Sequence, residues 1–315
     1  MAINPSDTGF AIVREPEAGT TPAKPVFNRL ETIVGSNLNA TADPIVSATR
    51  RKGRTNAGQR LVNPRVEGTL NTEFTADDAA TEMLLESAFS GRFDNTGLLK
   101  AGTTETDFTV ERLWIDGTKN MFSRFFGCQV TEFALNAEFG GIVTADFTVL
   151  GRGRADPATA IITGATYVDA SSNTKFAGPD VKNINIVGLG DVDYSTLTLS
   201  VSQDRATQGK LGSPYARGIG TSGKSIELQV MLYRKDFGPE ALIKNGIENP
   251  AVSISFDCLF DNKGYRFTIP LGQPSFPEDS EDGANQMVAV TFVPQGDNVS
   301  GADIMIQKLT VPVTP

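Results

Sequence analysis

The sequence predicts a mainly β protein, made of β-sandwich or barrel-like sheets in two similar modules that each carry one short α-helix. Many short segments alternate apolar and polar residues, as half-buried strands do. The 31 glycines and 17 prolines among 315 residues provide many turns between such strands. The same order of segments also occurs twice along the chain, which indicates an internal repeat.

The first module contains an alternating strand, a helix and three further strands. Residues 66–74 read V-E-G-T-L-N-T-E-F, which puts polar side chains on one face. A helix is predicted over 75–91, with Thr75 as its N-cap and Gly91 at its end. Three strands follow, at residues 106–115, 126–139 and 141–151.

The second module repeats this order. Residues 225–233 read S-I-E-L-Q-V-M-L-Y, and a helix is predicted over 235–246, with Asp236 as a cap and Pro239 in its first turn. Three strands follow, at residues 251–260, 265–276 and 287–296. A long, irregular hairpin is predicted before each module's alternating strand, at residues 38–62 and 196–223.

Composition divides the chain into five segments. The connector between the modules is rich in Ala, Thr, Ser and Gly, and both ends read as extended arms whose apolar residues could dock on neighbouring chains. The predicted segments are an N-terminal arm at 1–30, a first module at 31–155, a linker at 156–178, a second module at 179–297 and a C-terminal arm at 298–315.

Composition also disfavours several kinds of function. The chain has no histidine, which removes Ser-His-Asp and Cys-His catalysis and imidazole-ligated metals. Its 28 basic and 37 acidic residues give a net charge of −9, which disfavours general nucleic-acid binding. Cys128 and Cys258 fit no metal or redox spacing and are expected to be buried apolar residues. No signal peptide and no membrane-spanning run is visible. From all these observations we predict a non-enzymatic protein that has no cofactor or metal and is not associated with a membrane.

One motif invites a different interpretation. Residues 218–225 match the phosphate-loop pattern G-x-x-x-x-G-K-S, with Lys224 at the phosphate-binding position. Such a loop needs a helix after it, whose N-terminus faces the anion. The residues that follow here alternate as a strand, so we interpret the match as a hairpin loop.

A basic segment stands out in this acidic chain. No acid occurs between Asp43 and Glu67, and six cations fall within the interval: Arg50, Arg51, Lys52, Arg54, Arg60 and Arg65. Phosphate contact and a solvated loop are both possible explanations. We favour a third, in which this segment meets an acidic surface of an identical subunit and sets the register between copies. The candidate surface is Glu278, Asp279, Glu281 and Asp282.

Taken in order, several runs resemble the tail tube proteins (major tail proteins) of long-tailed bacteriophages, in the branch with two modules per chain. The strongest are the E-x-x-x-G-T-T-P entry at 15–22, the loop S-A-T-R-R-K-G-R at 47–54, and the paired runs G-C-Q-V-T-E-F and G-G-I-V that begin at Gly127 and Gly140. The resemblance covers most of the chain, and none of these runs is a catalytic signature.

The resemblance implies a structural virion protein that self-assembles into stacked rings around a channel. Each ring would be a β-barrel shared by three chains with pseudo-sixfold symmetry, and double-stranded DNA would pass through it without specific binding during genome ejection. It also implies tape-measure, tail-terminator and baseplate proteins as partners, synthesis in the host cytoplasm, and a final place in the tail. Strand alternation then gives the channel-lining candidates: Glu67, Thr69, Asn71, Glu73, Thr144, Asp146, Glu227, Gln229, Ser255 and Asp257.

The main rival hypothesis is another β-rich virion component, such as a baseplate, decoration or receptor-binding module. Receptor-binding surfaces often present exposed aromatic residues, and this chain has one Trp and five Tyr. A polar sheet face by itself also fits any solvated antiparallel sheet. The resemblance is therefore what favours the channel.

Overall fold

Strands make up most of the structure, a computed structural model that describes residues 4, 7–49, 52, 58–116, 119–190 and 192–310. The predicted mainly β class is confirmed, although the chain does not close its sheets into a barrel by itself. Among the described residues the α-helices are α1 (Ala79–Ala88) and α2 (Gly238–Ala241), and Gly178–Asp180 form a short 3-10 helix. The strands are β1 (Thr8–Arg14), β2 (Val26–Leu30), β3 (Asn37–Val46), β4 (Gln59–Glu73), β5 (Leu98–Lys100), β6 (Phe108–Asp116), β7 (Lys119–Glu138), β8 (Thr144–Gly151), β9 (Gly153–Arg154), β10 (Thr166–Val168), β11 (Val181–Ile186), β12 (Tyr194–Gln208), β13 (Gly218–Tyr233), β14 (Val252–Phe260), β15 (Lys263–Pro274), β16 (Glu278–Asp282), β17 (Asn285–Pro294) and β18 (Met305–Thr310).

One antiparallel sheet, here called the long sheet, runs through both halves of the chain. Its strand order is β3–β4–β8–β7–β12–β13–β17–β16, and it uses the C-terminal half of β7. The two halves meet where β7 pairs with β12, from Thr196 opposite Glu138 to Ser202 opposite Glu132. Backbone hydrogen bonds therefore join the halves directly.

Two smaller sets of strands pack on the apolar face of the long sheet. The first has the order β10–β2–β1–β6–β7–β9 and uses the N-terminal half of β7. The second has the order β11–β14–β15–β18–β5. Since β1, β2 and β18 come from the two predicted arms, these parts of the arms lie in sheets of their own chain, with Phe10 and Ile12 in its core.

A large buried cluster fills the space between these layers, and a small second one forms around Phe27. The large cluster contains Val66, Leu70 and Phe147 from the first half together with Leu228 and Phe292 from the second. Alternation in β4, β8 and β13 places these residues on the same side of the long sheet, where α1 also packs. Burial of this apolar surface is the main force that holds the layers together.

The first helix is shorter than the sequence predicts and has a different cap. It begins after Asp78, whose carboxylate accepts hydrogen bonds from the backbone N–H of Thr81, at 2.9 Å, and from its hydroxyl, at 2.5 Å. The predicted cap, Thr75, instead donates its hydroxyl to the carbonyl oxygens of Asn173 and Thr174. Thr and Asp both favour the N-cap position. Here the hydroxyl of Thr75 is used in a tertiary contact, and Asp78 caps the helix.

The second helix is a single turn rather than the predicted twelve residues. Asp236 accepts a hydrogen bond from the N–H of Gly238 at 2.8 Å, but the N-cap residue itself, Phe237, makes no side-chain cap. Asn245 and Gly246 take positive φ values and end the segment. Leu242 is the buried apolar anchor here, which is too little apolar surface to sustain a longer helix.

Strand pairing repeats between the two halves. The hairpin β3–β4 continues into β8, and the hairpin β12–β13 continues into β17 in the same manner. Both hairpins carry a register shift, between Thr41 and Asp43 in one and between Gln203 and Arg205 in the other. The strands β7 and β15 each pair in two layers. The predicted segment boundaries stay a prediction, because the buried cluster is shared by both halves.

The segment that matches a phosphate loop is the first half of β13, so its interpretation as a hairpin loop is wrong. The turn comes earlier, between β12 and β13, and Lys224 lies opposite Gln203 within the sheet. The Lys224 ammonium instead forms an ion pair with Asp303 at 3.1 Å.

Both cysteines are free thiols and fully buried, as predicted. Burial raises the pKa of both thiols. Across the described ranges, no helix has the length and apolar character that a membrane crossing requires.

Candidate functional site

Eight of the ten predicted lining residues lie on one face of the long sheet, opposite the core. In β4 and β8, Asn71 lies opposite Asp146 and Glu73 lies opposite Thr144. Residues directly opposite each other in an antiparallel pair point to the same side, so the register assigns the shared face. The eight are Glu67, Thr69, Asn71, Glu73, Thr144, Asp146, Glu227 and Gln229.

Four more carboxylates share this polar face. Glu132 lies opposite Thr148, Glu138 opposite Thr196, and Glu278 opposite Ala289, while Asp282 follows on the same side of β16. The alternation of residues 131–138, T-E-F-A-L-N-A-E, would have identified the first two. The sequence predicts a contact between rings for Glu278 and Asp282, since nothing in it indicates that β16 joins this sheet.

The polar face carries mainly negative charge. Its carboxylates come from Glu67, Glu73, Glu132, Glu138, Asp146, Glu227, Glu278 and Asp282. Arg65 is also on this side, but Asp43 and Glu67 accept hydrogen bonds from its guanidinium at 2.7 and 2.6 Å. Such a surface repels phosphates.

Asp146 sits in the middle of this face and is only partly exposed. Burial raises the pKa of its carboxyl group, although a hydrogen bond from Asn136 at 3.2 Å acts in the opposite direction. Ionisation of this carboxyl group therefore carries some cost to the stability of the fold.

Ser255 and Asp257, the remaining two predicted lining residues, do not lie on this face. They belong to β14, which pairs with β11 and β15 in the second layer. Asp257 is 1% exposed, and its carboxylate accepts hydrogen bonds from Arg266 at 2.7 Å and from Asn183 at 2.8 Å. Burial opposes its ionisation, but those hydrogen bonds lower its pKa overall. Alternation shows that one side of a strand is polar, but not which sheet the strand joins.

The basic and acidic segments lie at opposite ends of the long sheet. Exposed Lys52 and Arg60 are at the tip of the β3–β4 hairpin, whereas Arg50, Arg51 and Arg54 fall outside the described residues. The acidic residues Glu278, Asp279, Glu281 and Asp282 form β16, beside the turn to β17 at the other end. Of these, Asp279 pairs with Arg234 at 2.5 Å. The predicted contact between the two segments therefore requires two different chains.

The long sheet ends in two open edges. Among the described residues, β3 pairs only with β4, and β16 pairs only with β17. Nine of the ten residues of β3 and all five of β16 are exposed or partly exposed. Open edges of this kind are templates for pairing with another chain.

Comparison with known families identifies the chain. A family model described as phage tail tube protein matches residues 5–314, nearly the whole sequence. The chain belongs to the phage tail tube protein family. No curated protein matches it.

Membership of the tail tube family makes this chain a structural component of the phage tail and implies a non-enzymatic role. Within the part of the chain that the structure describes, no group of three or more Cys, Asp or Glu side chains is placed to hold a metal ion.

In this tail tube protein a buried arginine fastens the two halves together. Arg205, on β12, has a fully buried side chain and an ion pair with Glu105 at 2.5 Å. It also donates to the carbonyl oxygens of Val130 at 2.8 Å and Ser87 at 3.1 Å, and to the Ser90 hydroxyl at 3.0 Å. All four partners belong to the first half, so this side chain reinforces the joint between β7 and β12.

Proposed function

We propose that copies of this chain assemble into rings, and that the rings stack into a hollow tail tube through which double-stranded DNA is delivered to the host. The observation that carries the proposal is the polar, carboxylate-rich face of a sheet that is open at both edges. Closing such a sheet into a cylinder satisfies the unpaired backbone groups and encloses the polar face.

The charge of that face suits a conduit for DNA. Carboxylates repel the phosphates, and hydroxyl and amide groups such as those of Thr69 and Gln229 offer no cation to hold them. DNA would therefore pass along the polar face without binding to a specific site. The long sheet already contains two equivalent halves, so three chains would supply six similar units, as family resemblance implies.

The opposite charges at the two ends of the long sheet support ring-on-ring stacking. The basic hairpin tip of one ring would face the acidic β16–β17 end of the next, and such complementarity fixes orientation more than it adds affinity. Replacing Arg50, Arg51 and Arg54 by Glu should preserve rings but shorten tubes, as measured by electron microscopy. Unchanged tube length would refute this contact.

Negative-stain electron microscopy of the purified protein tests the central proposal. We expect rings or hollow tubes at high protein concentration, with three chains per ring by mass measurement. A uniformly monomeric particle under all assembly conditions would refute it. Contacts made only with other purified virion proteins would favour the baseplate or decoration alternative. The tape-measure, tail-terminator and baseplate proteins are the expected partners at the tube ends.

A further inference from the structure

Within the long sheet, the strands β3, β4 and β8 of the first half correspond to β12, β13 and β17 of the second. This correspondence lets the joint inside the chain predict a joint between chains. Val66 of β4 lies opposite Gly151, and Ile226 occupies the corresponding position in β13. The equivalence continues beyond the sheet. The Arg152 N–H donates to the Phe126 carbonyl at 3.1 Å, and the corresponding Gln295 N–H donates at 2.7 Å to the Leu271 carbonyl, which lies one residue further along the counterpart strand.

This equivalence extends to β7 and its counterpart. In the first half, β7 pairs with β8 and has a register shift between Val130 and Glu132. In the second half, β17 pairs first with the end of β15 and then with β16, so residues 272–282 form one interrupted strand along it. On this alignment residues 132–138 of β7 correspond to residues 276–282.

Each of the two strands in the internal joint between β7 and β12 therefore has a counterpart elsewhere in the same chain, and, among the described residues, each counterpart has an unpaired outer edge. The hairpin strand equivalent to β12 is β3, in which Leu38 corresponds to Leu199. The strand equivalent to the C-terminal half of β7 is the one that includes β16. In the described chain both present an open outer edge.

We propose that β3 of one copy pairs antiparallel with β16 of the next copy, in the register that β12 and β7 adopt within the chain. Leu199 lies opposite Leu135 in the internal joint, so Leu38 would lie opposite Asp279 of the neighbour. Asn37 would lie opposite Ser280, and Asn39 opposite Glu278. This proposal rests on the proposed function and specifies which surfaces of the chain form the ring.

The side chains suit this pairing. Asn37 and Asn39 are exposed on the polar face of β3, as are Glu278 and Ser280 on β16. Their counterparts in the internal joint, such as Thr198 opposite Asn136, are also polar pairs. The polar face would then continue unbroken from one chain to the next.

The prolines near these strands are compatible with the pairing, and charge disfavours pairing of β16 with a copy of itself. Pro44 of β3 lies beyond the predicted pairing, and Pro277 lies in the interruption before β16, where a missing N–H is tolerated. Two β16 strands would place like charges opposite each other, which is unfavourable. The acidic edge therefore selects β3 rather than a copy of itself. Such a joint between unlike surfaces closes into a ring when its rotation permits.

Disulfide trapping in assembled protein tests the register. Directly opposite residues have Cα atoms about 4.5–5.5 Å apart, within the range of about 4.4–6.8 Å that a disulfide spans. We expect Asn37→Cys combined with Ser280→Cys to give covalent dimers and trimers under mild oxidation, on a non-reducing gel. Asn39→Cys with Glu278→Cys provides a second pair in the same register. The native cysteines are fully buried and do not compete.

A matched control uses the same two strands out of register. Thr41→Cys with Asp282→Cys places both thiols on the polar face but six residues apart along the joint, so no cross-link is expected. Rings that form by microscopy without cross-links from either in-register pair, or with cross-links from the control pair, would overturn this proposal and leave the proposed function intact. Absence of rings from the unaltered protein would overturn both.

Discussion

Replacing Arg205 by methionine should destabilise the fold strongly, because this arginine is the fully buried link between the two halves. The change removes an ion pair with Glu105 and hydrogen bonds to Val130, Ser87 and Ser90. Removing one partner of a buried ion pair costs about 3–5 kcal/mol. Glu105 is 35% exposed, so water can solvate it after the change. We therefore expect a loss near the lower limit, about 3 kcal/mol in the free energy of unfolding.

Urea unfolding followed by circular dichroism measures this loss, at a protein concentration low enough to prevent assembly. Arg29→Met is the matched control, since its ion pair with Asp169 is exposed and 3.5 Å long. Such surface pairs contribute about 0–1 kcal/mol. Equal free energies of unfolding for the two variants would refute the role assigned to Arg205.

Three further predictions concern the polar face and the thiols. Asp146→Asn should stabilise the protein at neutral pH. Burial raises the pKa of Asp146, so the stability that its protonated form contributes is lost as pH rises through that raised pKa. Urea unfolding should show a higher free energy of unfolding for the variant at neutral pH and no difference below the usual pKa of 3.8. Glu67→Lys with Glu227→Lys should permit tube assembly but impair DNA ejection in phage carrying both changes, whereas Asp261→Lys, on the β14–β15 turn, should do neither; normal ejection would contradict a repelling wall. Both cysteines should resist a thiol reagent in the native protein and react in denaturant, and rapid native labelling would contradict their burial.

Local signals in the sequence predicted strands well and predicted their partners poorly. The alternation in 66–74 and 225–233 placed polar residues such as Glu67 and Gln229 correctly on one side. The same reasoning misplaced Asp257, whose strand lies in another layer and whose charge is paired with Arg266. Which sheet a strand joins depends on contacts far apart in sequence, and these leave no periodic signal.

The helices show a similar limit. The capping residues and Gly91 predicted a helix near the right place in the first half, although a contact from Thr75 to the 173–174 segment shifted its start. In the second half the same kinds of signal overestimated the length, because only Leu242 is anchored in the core. Residue propensities indicate where a helix forms, and burial of its side chains against the rest of the fold determines its length.

Arg205 stabilises the joint between β7 and β12 inside the chain. The equivalent position in the β3–β4 hairpin holds a different residue. Arg205 lies opposite Thr221, and by the strand equivalence its counterpart is Pro44, opposite Leu61. A proline supplies neither a charge nor a donor, so a seam between chains would lack this fastening. A ring under mechanical or chemical stress should then part between whole chains first, and each released chain should keep its two halves together and remain able to rejoin.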